Sequence, residues 1–432
     1  DSWLFQARTA FSMCSGAGTA ESARAVLQKL VHSYPISGLE MDIKTVALWE
    51  SAPSCNQLLF DNHRWCCQVT GKDHEMPHFF NDILELNVPG TFKRSDTYIQ
   101  KRAKISHGDL ATSQLCNTHT HVVTGSEPGN RCSIPYADFG VSGLPCTDMS
   151  RAGAQLKRHG ATNSVYMTHG KYTESMRAPL FVIECTPELD MGMVEECHPS
   201  YDLWQLMFST ADTGHGGTKR DRTYVIGSHV DKTSCLYDPW EMKDIIADRM
   251  RSKVRTLPSD YFLAEQVEVD REAIQLADRR KVSIDLRKPS NRADLTFLLN
   301  SREKAALNDY MNLYEQEYGK PAQSDPDLIA FLGDNPKRWR TWSAKSRTIS
   351  TFRRNVKSSL FWSPHLKRFM VAREKLAALA WPVTPCMAKA MCCDMVPARD
   401  IFRAADLAGN GMHFTTVAIA QLLALACFRP MD

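Results

Sequence analysis

Tyr136–Ser150 reads YADFGVSGLPCTDMS: a short apolar strand, a Gly-Pro turn and then a lone cysteine, Cys146. Such a strand lifts the thiol to the carboxyl edge of a sheet, where open α/β folds place their chemistry. A cysteine is nucleophilic as its thiolate, which forms in an electropositive, partly exposed setting. Two further stretches offer charge. Pro179–Glu184, PLFVIE, is a buried strand that delivers Glu184 at its end. Lys219–Gly227, KRDRTYVIG, is a strand whose alternate positions Arg220 and Arg222 project to one side.

The elements that must position these residues alternate along the first 230 positions. Phe11–Gly18, FSMCSGAG, is a strand end followed by a glycine turn, and Thr19–Tyr34 is a helix with Ala23, Val26, Leu27, Leu30 and Val31 on one face. Strand, glycine turn and helix form the first unit of a nucleotide- or nucleoside-binding domain, with helix-start amides facing the ligand. A plain tight turn fits the segment equally well. Thr45–Trp49 is a strand ending in Glu50, suited to a ribose diol or simply solvated. Phe79–Ile83 offers a third strand end, with Asp82 as a partner for an adenine amino group. Residues 87–135 show no period and read as an insertion or long loop. Arg151–Arg177 reads as a loop leading into a helix, Tyr201–Phe208 as a helix, and Gly214–Gly217 as a turn. The alternation predicts an α/β fold, a Rossmann-like, mostly parallel sheet with helices on both faces.

The character changes after residue 230. Residues 231–335 are charged, helix-prone and interrupted. Pro336–Arg373 holds eleven Lys or Arg and no Asp or Glu, interleaved with Trp339, Trp342, Phe352, Phe361, Trp362 and Phe369. Such a stretch suits a nucleic-acid backbone and exposed bases, with Arg338, Arg340, Arg347, Arg353 and Arg354 as candidate contacts. A solvated basic face with its aromatics in the core is the competing reading. Leu407–Phe428 is a Gly-Asn-Gly turn opening an apolar helix, hydrophobic on nearly all sides and hence buried against the sheet.

The whole chain of 432 residues can bury a large core and divides into two domains, with a 43% hydrophobic and 23% charged composition that is ordinary for a globular protein. A net charge of +3 requires that any polyanion be met by a local basic patch. No apolar run reaches the ~18 residues of a membrane span. The first residue is Asp1 rather than Met, which reads as a fragment, and no signal peptide is visible. The 14 cysteines lack a compact spacing framework and read as free thiols in a reducing compartment. Cys116, His119 and His121 cluster and Cys132 follows, but their spacing fits no common zinc module, and no metal is expected. The adjacent pairs Cys66-Cys67 and Cys392-Cys393 suit packing better than one tetrahedral site.

These pieces resemble, in order and along nearly the whole chain, the cytosine-C5 DNA methyltransferase family. Phe11–Gly18 is similar to the motif that holds S-adenosylmethionine, which implies Phe11, Ser15, Gly16, Ala17 and Gly18 as cofactor contacts. Glu50, Asp82 and Ile83 fall where the ribose and adenine contacts are expected. Gly143-Leu144-Pro145-Cys146 resembles the catalytic motif, with Pro145 beside the cofactor. Glu184-Cys185-Thr186 resembles Glu-Asn-Val, and Arg220-Asp221-Arg222 resembles Gln-x-Arg-x-Arg. Arg368 through Glu374 to Pro382 resembles the motif that closes the target-recognition domain, and Gly409-Asn410-Gly411 the last motif, which adds Asn410 and Gly411 to the cofactor contacts. The chain departs from the pattern at Cys185, at Thr218 where Gln is usual, in Leu-Pro-Cys for Pro-Pro-Cys, and in a longer segment between Asp82 and Cys146.

The resemblance implies a class I methyltransferase fold. Residues 1–230 would form the catalytic domain, 231–380 the target-recognition region, and 381–432 a segment returning to the catalytic domain. It implies Cys146 as nucleophile on C6 of cytosine, Glu184 at N3 and the exocyclic amine, and Arg222 with Arg220 steadying the base and lowering the thiol pKa. The target base would be flipped out of duplex DNA, with Ser150 and Arg151 on the adjoining phosphate. A monomer inside the cell is expected, in the nucleus of a eukaryote or otherwise in the cytoplasm or nucleoid. Other readings are a catalytically silent DNA-binding relative, a tRNA-type enzyme with its compact recognition domain, and a nicotinamide oxidoreductase.

Overall fold

The computed structural model describes residues 2–34, 40–119, 131–151, 153–352, 360–396 and 411–431. In chain order its first strands are β1 (Thr9–Met13), β2 (Lys44–Trp49), β3 (His78–Phe80), a hairpin of β4 (Ser113–Leu115) and β5 (Arg131–Ser133), then β6 (Phe139–Gly143), β7 (Leu180–Cys185), β8 (Tyr201–Phe208) and β9 (Arg222–His229). Seven of them form one sheet in the order β3-β2-β1-β6-β7-β9-β8. All neighbours from β3 to β7 are parallel, while β9 runs against both β7 and β8. This is the Rossmann-like, mostly parallel sheet that the alternating pattern predicts. The strand order reverses between β1 and β6, so a crevice opens outside their carboxyl ends.

Period-two alternation in the central strands separates two cores. Phe139, Val141, Leu180, Val182, Tyr224 and Ile226 pack with the helices Thr19–Ser33 and Phe414–Ala426. Phe181, Ile183 and Val225 pack with Tyr166 and Met167 of the helix Asn163–Met176 and with Met193 and Val194 of Met191–Cys197. Burial on both faces explains why β7 reads LFVIEC without a polar residue before Glu184. The C-terminal helix is tied to the first one by Gln421, which donates to the Ala20 carbonyl at 2.9 Å and accepts from Arg24 at 3.3 Å.

Four sequence expectations are corrected. Tyr201–Phe208 is the edge strand β8, not a helix; Leu203, Leu206 and Met207 satisfy helical spacing, and eight residues are too few for periodicity to separate the two. Residues 87–135 are not one loop, since they hold the helix Tyr98–His107, which opens on a Thr97–Gln100 capping box, as well as β4 and β5. Strand β9 begins at Arg222, so Arg220 lies ahead of it. The last apolar helix runs Phe414–Ala426, and a short strand over Phe428–Pro430 follows it.

Beyond the main sheet, β10 (Thr233–Cys235) pairs with β14 (Phe428–Pro430). A three-stranded sheet of β11 (Ala330–Phe331), β12 (Phe361–Ser363) and β13 (Arg368–Phe369) joins the helices Gln266–Arg280 and Ser301–Tyr318 around Leu276, Leu307, Tyr310, Leu332, Trp362 and Phe369. This core absorbs Trp362 and Phe369 of the basic stretch, with Trp342 packed against it, while Phe352 and Phe361 join the main core beside Phe331 and Ile349. Phe352, Phe361, Trp362 and Phe369 are buried and Trp342 is half-buried, so of the six only Trp339, 73% exposed, could stack on a base.

A fully buried carboxylate anchors the end of this unit. Glu374 accepts from Arg368 at 2.9 and 2.7 Å and from the amides of Val371 and Ala264 at 2.9 and 3.1 Å. Replacing Glu374 by Gln leaves the Arg368 guanidinium uncompensated. The expected loss is about 3–5 kcal/mol, read from the urea midpoint at unchanged m-value; a loss under about 0.5 kcal/mol would contradict the buried pair.

Candidate active site

The crevice between β1 and β6 is lined first by the glycine turn. Cys14 (φ 52°), Gly16 (φ 55°) and Gly18 (φ 72°) all adopt the left-handed conformation, which turns the chain from β1 into its helix within a few residues. A Cβ added at Gly16 would meet nothing within 4 Å, so the backbone there is open to a ligand. Glu50, at the end of β2, accepts from the Gly16 amide at 2.7 Å and from the Ala52 amide at 2.8 Å. One donor on each oxygen leaves the carboxylate with acceptor capacity for a hydroxyl. Asp82 caps the short helical turn Ile83–Leu86 through the Leu84 amide at 2.9 Å. Glu50 and Asp82 both act on Cys14, whose thiol is pushed up by burial and then by these two carboxylates.

Not every expected cofactor residue faces this space. Phe11 is fully buried, with its ring edge-on to Tyr172 at 5.0 Å and over Gly140, where a Cβ would come within 2.1 Å of it. It is a core residue, and Cys14 is the side chain that stands beside Glu50 and Asp82. The Ile83 side chain is buried in the same cluster as Phe11. The Ser15 hydroxyl turns inward to the Ser12 and Trp49 carbonyls, and Ala17 is buried. Asn410 lies outside the described residues; Gly411 is buried. Met412, not anticipated, reaches the crevice: a Cβ on Gly143 would lie 2.9 Å from Met412 Cε and 3.3 Å from the Cys14 carbonyl oxygen.

Cys146 follows β6 on the same edge and is half-buried. Its carbonyl accepts from the amides of Met149 and Ser150 at 3.0 and 2.8 Å, closing the loop into a turn. Asp148 secures that turn by accepting from the Thr162 amide and hydroxyl at 2.9 and 2.7 Å. From behind, Tyr166 donates to the Pro145 carbonyl at 3.2 Å and lies 3.2 Å from Cys185 Sγ. With its one proton so used, the hydroxyl oxygen is left to accept from the Cys185 thiol. Cys185 thus sits in the core, in contact with the hydroxyl that steadies the loop carrying Cys146. Below β6, Ser142 Oγ meets His169 Nε2 at 3.1 Å, and His169 Nδ1 meets His198 Nε2 at 2.9 Å. Burial holds both imidazoles neutral, His198 down at about 4.

The charges converge because β9 is antiparallel to β7. Register sets Glu184 opposite Tyr224 and Cys185 opposite Thr223, with Arg222 next along β9. Arg222 Nε lies 2.9 Å from Glu184 Oε1, both side chains nearly buried. The approach is too oblique for a hydrogen bond, and Glu184 Oε1 has no hydrogen-bond partner among the described residues. Neither have Arg220 Nε and Nη1, Thr186 Oγ1, Tyr224 Oη and His413 Nε2. Burial, followed by repulsion from Arg222, lowers Arg220 to about 10, so it stays charged at neutral pH. Burial and then Glu184 raise the Cys146 thiol, while Arg222 and Arg220 pull it down. Each orphaned buried polar atom costs about 1–3 kcal/mol. Several of them lie near one half-buried thiol, so this edge carries unspent hydrogen-bonding capacity.

The expected nucleic-acid contacts are mixed. Arg151 is exposed and ion-paired with Glu188 at 2.6 Å, and Ser150 is half-buried in the Cys146 turn. Arg338 is exposed. Arg340 pairs with Glu317 at 3.1 Å, and Arg347 pairs with Asp325 at 2.8 Å and also with Asp327. These two are therefore committed to acids brought in from before the basic stretch, which local charge counting missed. Arg353 and Arg354 lie outside the described residues. Thr218 has its hydroxyl on the His215 carbonyl at 3.3 Å, and the adjoining Gly217 and Lys219 backbone pairs with Ile349.

No protein-family model matches the chain, and no curated protein matches it either. Among solved structures it is similar to the Entamoeba histolytica methyltransferase EhMeth, at 10% identity and a TM-score of 0.47 over 97% of this chain and 98% of that one. It is similar to the S. pombe Dnmt2 methyltransferase at 11% identity and 0.44, over 97% and 98%. It is similar to a putative DNA modification methyltransferase encoded within an E. coli prophage at 14% identity and 0.47, over 97% and 99%. Likenesses this distant carry no information on substrate.

The balance of charges around Cys146 makes a signed prediction. Because its pKa is raised, alkylation by iodoacetamide, followed peptide by peptide, should climb with pH from 7 upward through and beyond its ordinary value of 9.0. Glu184→Gln removes a raising charge and should shift that profile to lower pH; Arg222→Met removes a lowering charge and should shift it higher. Shifts of the opposite sign would show that these groups do not act on Cys146.

Proposed function

We propose that this chain is an S-adenosylmethionine-dependent methyltransferase, and that its substrate is C5 of cytosine in DNA. The observation that carries the reading is the half-buried Cys146 beside an incompletely hydrogen-bonded Glu184, Arg222 and Arg220. A free carboxyl oxygen and guanidinium donors suit the N3, exocyclic amine and carbonyl of a cytosine ring. In support of the cofactor, the open backbone at Gly16 and the spare acceptors of Glu50 fit a nucleoside, with Asp82, Pro145 and Gly411 nearby along the same edge. When bound, its sulfonium supplies the electrophilic methyl group.

In this reading Cys146, as thiolate, adds to C6 and pushes an electron pair to C5, which turns a poor carbon nucleophile into an enamine-like one. Glu184 accepts from the exocyclic amine and relays a proton to N3 as negative charge develops there. Arg220 and Arg222 hold the ring and favour the thiolate. Once C5 carries the methyl group, water or hydroxide takes the C5 proton, the C6–S bond breaks to release Cys146 as thiolate, and the N3 proton returns to Glu184, which restores aromaticity. A duplex base cannot reach a pocket this recessed, so the base is flipped out, with Arg151 exchanging Glu188 for the neighbouring phosphate and Arg338 contacting the backbone further off.

The test is transfer of labelled methyl to unmethylated DNA. Transfer by the parent should vanish in Cys146→Ser and fall about 10²–10⁴-fold in Glu184→Gln, and 5-fluorocytosine DNA should trap the parent covalently. Tight DNA binding without transfer would favour a silent regulatory module, transfer to RNA alone would change the substrate, and transfer surviving Cys146→Ser would overturn the mechanism.

A further inference from the structure

Four side chains that the proposed chemistry does not use converge at the other margin of the sheet. His78 opens the edge strand β3. Cys116 directly follows β4 and bridges to Phe80 of β3, His119 lies three residues on, and Cys132 is the central residue of β5. One ligand-capable atom from each lies within 4.8 Å of all the others. Cys116 Sγ is 3.5 Å from His119 Nδ1 and 3.9 Å from His78 Nδ1, and Cys132 Sγ is 3.7 Å from His119 Nδ1. The two imidazole rings meet edge to face, 4.6 Å between centroids, and both thiols are buried and unoxidised.

We propose that His78, Cys116, His119 and Cys132 form a structural zinc site. A tetrahedral zinc with Zn–S near 2.3 Å and Zn–N near 2.0–2.1 Å holds its ligand atoms roughly 3.4–3.8 Å apart, so the three separations above are already close to it and the others need to tighten by about 1.4 Å at most. Two sulfurs and two imidazole nitrogens without a carboxylate suit zinc and disfavour magnesium or calcium. Four protein ligands close the coordination sphere, which is the structural rather than the catalytic pattern.

The fold shows what the metal would hold. Strands β4 and β5 have three residues each, and an isolated hairpin of that size is marginal. Apart from the bridge at Cys116, it meets the edge of the sheet through the Asn117 amide on the Phe79 carbonyl at 2.7 Å and the Thr118 hydroxyl on the Pro77 carbonyl at 2.8 Å. Zinc would tie β3, β4 and β5 at one point and contribute its binding energy to folding. The same hairpin touches the crevice from outside. Gln114 accepts from Trp49 Nε1 at 2.6 Å just before Glu50, and Asn117 donates to Asn81 at 2.8 Å just before Asp82. The metal would therefore brace the two strand ends that carry those carboxylates.

The full chain, purified without chelator, should contain about one zinc per molecule by elemental mass spectrometry. Cys116→Ser and Cys132→Ser should each lose it, while Cys386→Ser, an exposed thiol elsewhere, should retain it. If either cysteine variant fails to fold, cobalt exchanged into the parent provides the readout: a tetrahedral thiolate site gives intense visible d–d bands with near-ultraviolet charge transfer. Parent protein that takes up neither zinc nor cobalt, a Cys116–Cys132 disulfide, or zinc undiminished in both folded variants would each overturn the site. None of these readouts depends on methyl transfer.

Discussion

The buried contact between Glu184 and Arg222 is the constraint around which the carboxyl edge of the main sheet is organised. A carboxylate at the end of a fully buried strand would cost several kcal/mol without a counter-charge. An all-parallel sheet would put the first residue of the next strand at the far edge, out of reach. The antiparallel course of β9 removes that difficulty, since its first residue stands beside the last residues of β7. Arg222 arrives where Glu184 needs it, and Arg220 comes with it from just ahead of the strand.

That pair is compensated in charge but not in hydrogen bonds, and the remainder of the site follows from the difference. The edge is held rigidly from beneath by Tyr166 on the Pro145 carbonyl, by Asp148 on Thr162 and by the neutral histidine pair under Ser142. It therefore cannot relax to give the buried polar atoms partners among the described residues. Stability given up at the site is recovered in the two cores that cover the sheet, which is the usual way for a fold to keep a pocket poised for a polar guest. Cys185, where the family pattern has an amide, belongs to the supporting side of this arrangement.

The second unit obeys a different economy of charge. Its arginines are numerous, but Arg280, Arg340, Arg347 and Arg368 are each held by a carboxylate from another element. These pairs shape the unit, and its surface for a polyanion is correspondingly narrower than the eleven basic residues of Pro336–Arg373 suggest. Under the proposed function, a strand of nucleic acid would be met by exposed groups such as Arg338 and Trp339, and by Arg151 beside the Cys146 turn after it releases Glu188.

Local patterns in the sequence were sufficient wherever one segment decides its own state. The glycine turn before the helix Thr19–Ser33, the apolar runs of β6 and β7, and the placing of Cys146 and Glu184 at strand ends all follow from periodicity and turn chemistry within a few residues. Tertiary structure decided what depends on partners far away in the chain. Tyr201–Phe208 is a strand because β9 pairs with it, and Phe11 is core because Gly140 and Tyr172 close over it. Trp362 and Phe369 of the basic stretch are interior because two helices from before residue 320 need covering, and Phe352 and Phe361 because the main core takes them in. The sequence grouped Cys116, His119, His121 and Cys132; His121 lies outside the described residues, and His78 joins the other three only because β3 brings it from 38 residues upstream of Cys116. Spacing along the chain cannot reveal a ligand that only strand pairing delivers.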